Sequence, residues 1–252
     1  MSIARIFITG ASSGIGATLA RFYANQYRDG LHLGLLARRA GRLVSLAASL
    51  RELGAVVETY STDVRDGESM QEIVRDFTGS AGGVDLVIAN AGISPGEKTG
   101  KGDLEPAANV IATNLLGVFN TLVPMIPTMI EQKSGHLVAV GSVAGFFGMP
   151  GKGAYCGTKA AVKILMDSYR PVLKAHGIQV TTICPGFVES EMTANNSFPM
   201  PFIVKGPKAA KLIARAIAKG RKTYVFPWQM RLVIPLLHAM PEWVLARMVS
   251  RP

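Results

Sequence analysis

Seven short apolar runs recur along the chain, separated by longer stretches in which apolar residues return every three or four positions. They read RIFITG from Arg5, LHLGLLA from Leu31, VVETYST from Val56, VDLVIANAG from Val84, GHLVAVGS from Gly135, QVTTICPG from Gln179 and KTYVFP from Lys222. Most are apolar almost without a break, so they predict strands covered on both faces, not strands with one wet side. The intervening periodicity predicts helices over 15–25, 39–53, 69–78, 103–132, 154–175 and 207–219. Strand and helix in alternation imply an α/β fold, a three-layer doubly wound parallel sheet with helices on both faces. At 252 residues the chain is near the upper size of one hydrophobic core, and residues 1–252 read as a single domain. The longest irregular stretches, 93–102 and 187–206, are rich in Gly, Pro, Ser and Asn and are expected to border a site.

Composition excludes disorder, with 48% hydrophobic and 17% charged residues. Lys and Arg number 27 against 17 Asp and Glu, and the resulting net charge of +10 would attract nucleic acid, anionic lipid or a phosphorylated cofactor. The basic residues come singly and in pairs, so a nucleic-acid tract is not expected. Cys156 and Cys184 have no CxxC spacing and read as small buried side chains in a reducing, cytoplasmic setting; no metal site is expected. The first apolar run stops at Thr9 and Gly10, too soon for a signal peptide. Nowhere do 18 apolar residues run together, so no spanning helix is expected.

TGASSGIG, Thr9 to Gly16, lies where the first strand gives way to the first helix. Its glycines permit a tight turn, close approach of a diphosphate to the backbone, and close packing of helix on sheet. The helix N-terminus adds N–H groups and a partial positive charge. Gly10, Ser12, Ser13, Gly14, Ile15 and Gly16 are therefore candidate cofactor contacts. After the second strand, where a dinucleotide fold preferring NAD carries Asp or Glu, the chain reads LLARRAGRL. Arg38, with Arg39 beside it, would pair with a 2′-phosphate, so NADP(H) is expected over NAD(H).

VAVGSVAG places Ser142 just beyond a strand end, where ligands bind in open α/β sheets. Thirteen residues later comes Tyr155, and four after that Lys159, one helical turn away on the same face. A free phenol titrates near pH ~10. A neighbouring ammonium would stabilise the phenolate and lower that value, fitting Tyr155 to exchange a proton with a carbonyl or alcohol oxygen that Ser142 also holds.

Thr9–Gly16, ANAG at Ala89–Gly92, Asn114 within ATNLLGVFNT, Ser142, Tyr155-x-x-x-Lys159 and PG at Pro185–Gly186 stand in the order seen in short-chain dehydrogenases/reductases, and the resemblance spans about residues 3 to 226. It implies a Rossmann fold and an oxidoreductase acting between a carbonyl and a secondary alcohol. In that light Tyr155 would be the acid/base, Lys159 would also hold the nicotinamide ribose, Ser142 would orient the carbonyl, and Asn114 would keep a water in a relay to Lys159. Asp63 and Val64 resemble the positions meeting the adenine. Asn90, with Ala91 and Gly92, would steady the central strands beside the cofactor. Pro185, Gly186, Val188 and Ser190 match the segment contacting the carboxamide, although threonine is more usual at Ser190. A homodimer or homotetramer is expected.

One departure is the end of the chain. In place of a glycine-rich tail, residues 224–252 interleave Leu, Met and Trp with arginines and resemble the tails of relatives acting on lipid-like or steroid-like carbonyls. Pro235 and Pro241 predict a broken helix there. Three roles are open to this tail: packing on its own domain or a second subunit, capping the substrate pocket, or peripheral contact with a membrane through Trp228, Trp243, Arg231, Arg247 and Arg251. Phe146, Phe147, Met149, Phe187, Met192, Phe198, Met200 and Phe202 suit a hydrophobic substrate and equally an ordinary loop-packing core. The reading from another class is a non-catalytic NADP(H)-sensing or membrane-binding protein on the same fold.

Overall fold

Each apolar run becomes a strand: β1 (Arg5–Thr9), β2 (His32–Leu36), β3 (Val56–Tyr60), β4 (Leu86–Ala89), β5 (Gly135–Val140), β6 (Ile178–Pro185) and β7 (Thr223–Phe226). The computed structural model describes residues 3–96, 102–194 and 199–239. All the strands are parallel, in one sheet of order β3-β2-β1-β4-β5-β6-β7. The order steps outward from β1 to β3 and then returns to place β4 on the other side of β1. That reversal opens a crevice above the carboxyl ends of β1 and β4.

Alternate side chains of the central strands enter two separate cores, as the two-residue strand period demands. Ile6, Ile8, Leu33, Leu35, Leu86 and Ile88 pack with α1 (Gly14–Tyr27), α2 (Ala40–Arg51) and α9 (Gly206–Ala218). Phe7, Val87, Ala89, Leu137 and Ala139 pack on the opposite face with α3 (Gly67–Ser80) and α7 (Gly153–Lys174). This double coverage is why the strands are apolar without alternation. At the end of the sheet away from the crevice, the Asp85 carboxylate accepts from the backbone N–H of Ala4 (3.0 Å) and Arg5 (2.9 Å) and pairs with the Arg5 guanidinium at 2.6 Å. One buried side chain thus ties β1 to β4 behind the site.

The run expected as one helix over 103–132 is a chain of pieces: α4 (Glu105–Ile111), a π turn over Ala112–Leu116, α5 (Gly117–Leu122), a 3₁₀ turn over Val123–Met125 and α6 (Ile126–Gln132). Pro124 and Pro127 each stand at the start of a new piece, the helical position a proline tolerates. Glu105–Gln132 is long and apolar enough by composition to cross a membrane, and its pieces pack against α3, α7 and β4. The segment after β6 includes the short α8 (Glu191–Ala194), and Val188 pairs with Val204 across it. Helix α10 (Met230–Ala239) runs through Pro235 instead of breaking there; proline forfeits its own N–H bond while the surrounding turn persists. Phe198, Pro241, Trp243, Arg247 and Arg251 lie outside the described residues.

Candidate active site

The glycine turn sits at the carboxyl end of β1, its shape held by β4. Asn90 donates through Nδ2 to the carbonyls of Thr9 (3.0 Å) and Gly10 (3.2 Å), and Thr9 Oγ1 accepts from the N–H of Asn90 and Ala91. Gly10 adopts φ +67°, and a β-carbon there would stand 2.8 Å from Ala91 Cα; one on Gly16 would stand 2.5 Å from Gly10 O. Side chains at these positions would push the cradle apart. Ser13 precedes α1 without capping it, and the first turn holds no acid, so its N–H groups and dipole face the crevice without a protein anion. Ile15 packs into the core below.

Sequence singled out Arg38 first; the structure gives the serines of the cradle to Arg39. Its guanidinium reaches Ser12 Oγ (3.0 Å) and Ser13 Oγ (2.7 Å), whereas Arg38 lies 3.6 Å from Asp63. Burial would raise the Asp63 carboxyl, but hydrogen bonds from Arg65, with the charges of Arg65 and Arg38, hold it below the ordinary carboxylate range. Val64, beside it, is buried, and its carbonyl accepts from Asn120.

At the carboxyl end of β5, Ser142, Tyr155 and Lys159 come together. Ser142 caps a short 3₁₀ turn, accepting from Ala144 N at 3.1 Å, and its hydroxyl stands near enough to the Tyr155 phenol to act on its titration. Lys159 Nζ lies 5.8 Å from the Tyr155 ring centre and donates to Val140 O at 2.8 Å. Burial pushes the phenol up, and the Ser142 hydrogen bond opposes that shift. This corrects the expected direction, in which the ammonium lowers the phenol. Lys159 is itself buried, and desolvation brings it down from 10.5 to about 8. Both groups stand in a dry place that penalises either charge.

Asn114 is fully buried in the π turn. Its Oδ1 accepts from Ile93 N (2.8 Å) and its Nδ2 donates to Ile93 O (2.9 Å), so the side-chain amide is engaged with backbone. A β-carbon on Gly92 would stand 3.2 Å from Asn114 Oδ1 and 3.6 Å from Lys159 Nζ, which puts all three residues at one spot. A residue that spacing did not reveal is Lys152, which donates to Ser94 O (2.7 Å), Ser94 Oγ (3.2 Å) and Pro95 O (3.1 Å), fastening the segment after β4 to the start of α7. No local signal marks it, because its acceptors lie 57 and 58 residues earlier.

On the far side of the crevice, Pro185 ends β6 and Gly186 N donates to Phe226 O at 2.7 Å. Val188 is buried, and its carbonyl accepts from Thr193 Oγ1, which also accepts from Ser190 N. A β-carbon on Gly14 would stand 3.3 Å from Ser190 Cβ, so this segment meets the glycine turn. Phe146, Phe147, Met149, Phe187 and Met200 are partly buried, whereas Met192 and Phe202 are exposed. Cys156 and Cys184 are buried thiols.

The residues fit a dinucleotide. The turn has no room for side chains, the α1 N-terminus is open to an anion, and Lys159 retains ammonium donors beyond the one given to Val140. A family model for short chain dehydrogenases matches residues 4–199. An oxidoreductase of Myxococcus xanthus is 38% identical over 242 residues, 96% of this chain and 94% of the relative. A short chain dehydrogenase/reductase from Burkholderia phymatum, solved in complex with NAD, superposes with a TM-score of 0.85 at 26% identity, covering 100% of this chain and 98% of that one. An alcohol dehydrogenase from the archaeon Thermococcus sibiricus, complexed with 5-hydroxy-NADP, gives 0.78 at 27% identity over 89% of this chain and 96% of that one. A sequence match over most of its length and a shared architecture lead to one conclusion: the chain belongs to the short-chain dehydrogenase/reductase family of oxidoreductases.

Proposed function

We propose that the protein interconverts a hydrophobic carbonyl and the corresponding secondary alcohol, using NADP(H). The observation that carries this reading is the meeting of Ser142, Tyr155 and Lys159 at the carboxyl end of β5, with the Lys159 ammonium 5.8 Å from the Tyr155 ring centre. A bound nicotinamide dinucleotide supplies the hydride in this chemistry. Gly10, Ser12, Ser13, Gly14, Ile15 and Gly16 hold its diphosphate side; Asp63, Val64, Asn90, Ala91 and Gly92 border the adenosine and the middle; Pro185, Gly186, Val188 and Ser190 border the nicotinamide. Tyr155, kept protonated by its dry surroundings, donates to the substrate oxygen in reduction. Ser142 orients that oxygen. Lys159 binds the ribose and, while charged, favours the phenolate that proton donation leaves behind and that the reverse direction uses as its base. Asn114 holds the Ile93 segment against Lys159 and, in this reading, lines the proton route.

The NADP(H) preference is supported by Arg38 and Arg39 at the end of β2, where no acid stands. The hydrophobic substrate is supported by the apolar residues of the crevice and by Met192, Phe202, Ile203 and Trp228, exposed near its rim. Buried thiols accord with a cytoplasmic protein, and exposed Ile164 and Val172 on α7 with a homodimer or homotetramer. The exposed Leu232 and Leu236 of α10 accord with peripheral membrane contact by the tail. A purely sensing protein has no observation in its favour, since the three reacting side chains are assembled.

A panel of lipophilic ketones, followed by loss of NADPH absorbance, tests the activity. Tyr155→Phe should cut turnover by about 10²–10⁴-fold while NADPH still binds. Unchanged turnover in that variant would overturn the reading.

A further inference from the structure

Glu191, on α8, meets two arginines at the start of α2: Arg39, the residue before its first turn, and Arg42 within it. Its carboxylate takes Arg39 at 2.7 Å through one oxygen and Arg42 through the other. Arg39 is the same guanidinium that lies on Ser12 and Ser13, the outer edge of the cradle. A polar cavity of about 540 Å³ adjoins the contact, lined by Ser12, Ser13, Arg21, Arg42, Ser45 and Glu191 among others. The internal carboxylate therefore occupies the cations to which a 2′-phosphate would be drawn.

We propose that Glu191 is an internal competitor of the cofactor's 2′-phosphate, so that it sets the preference between phosphorylated and unphosphorylated dinucleotide and ties the substrate segment down until the phosphorylated form arrives. The proposal rests on the NADP(H) reading above. Its physical basis is an unequal contest. A carboxylate brings one charge and two acceptor oxygens on a half-exposed side chain, a weak pair in water. A phosphate monoester brings nearly two charges and three oxygens, and it suits the guanidinium fork better. Once displaced, Glu191 no longer anchors α8, and Ser190 and Met192 on either side of it are released with it. An unphosphorylated dinucleotide brings only its diphosphate, which the glycine turn and the α1 N-terminus take up, and offers the guanidiniums no phosphate monoester. The contact joins residues 152 positions apart in sequence, so it links the adenosine end of the crevice to the substrate end directly.

Adenosine 2′,5′-bisphosphate and AMP serve as probes, since they differ only in the 2′-phosphate. In titrations of the full chain, Glu191→Gln should tighten binding of the bisphosphate about tenfold and leave AMP within about twofold. In hydrogen exchange, the bisphosphate should speed the amides of residues 189–194 in the wild type, AMP should not, and the variant should exchange fast without either. Equal binding of the bisphosphate to both proteins, with exchange unmoved and a clear margin over AMP retained, overturns the proposal and leaves the NADP(H) reading standing. A bisphosphate no tighter than AMP in both proteins overturns the cofactor reading, and this proposal with it.

Discussion

Ser142 accepts from the backbone of the turn beside it and acts on the Tyr155 phenol, the acid/base of the proposed reaction. Its hydrogen bond is the contact that draws Tyr155 down while burial draws it up. Removing the hydroxyl leaves burial unopposed, so Ser142→Ala should move the limb of the pH–rate profile that requires phenolate to higher pH. The sign follows because the alcohol-oxidising direction needs the deprotonated form, which the variant reaches later. Turnover should also fall by about 10²–10³-fold, as expected when one donor to the reacting oxygen is lost. A limb that stays in place would remove Ser142 from the proton path. Adjacent arginines show where sequence reading stops at this scale. Position after the second strand singles out Arg38 and Arg39, yet which of them meets Ser12 and Ser13 depends on how the chain enters α2. The raised phenol was also hidden, since spacing reveals a nearby ammonium and says nothing of the dryness that raises Tyr155 and lowers Lys159 together.

The central strands were readable because they are buried on both faces, and an unbroken apolar run leaves few alternatives. The helix over 103–132 was readable as helical and unreadable as broken. Its π turn depends on Asn114 closing two bonds on Ile93, 21 residues earlier, a contact absent from any local window. The clasp between Arg5 and Asp85 is similarly long-range and acts on two elements at once. Burial would raise the Asp85 carboxyl, but the Arg5 hydrogen bond and the Ala4 and Arg5 N–H groups outweigh it and hold it below 3.8. A depressed carboxylate contributes stability above its unfolded pKa and loses it as pH falls through the folded value. Asp85→Asn should therefore lower stability at pH 7 by about 3 kcal/mol, and the gap should close as the solution is acidified below about pH 4. Denaturant titrations across that range measure it; a gap independent of pH would mean that the carboxylate's charge contributes nothing.

At the scale of the molecule, Ile164 and Val172 stand 63% and 65% exposed on α7, the helix that carries Tyr155 and Lys159 on its other side. Exposed residues of this size on a core helix suit a partner copy. Light scattering on Ile164→Glu/Val172→Glu should report a smaller assembly than the wild type; an identical mass would move the contact elsewhere. The parallel, doubly wound sheet was available from the sequence, whereas the meeting of α8 with α2 was not, because it is made by charged surface residues that no hydrophobic pattern records. The two lips of the crevice are also built unequally. Lys152 bolts one lip, the stretch after β4, onto the reactive helix through three acceptors. The opposing lip turns Met192, Phe202 and Ile203 to solvent. In the proposed reaction, selectivity would be retuned on one jaw while the other keeps the proton machinery in alignment, which separates what is accepted from how it reacts.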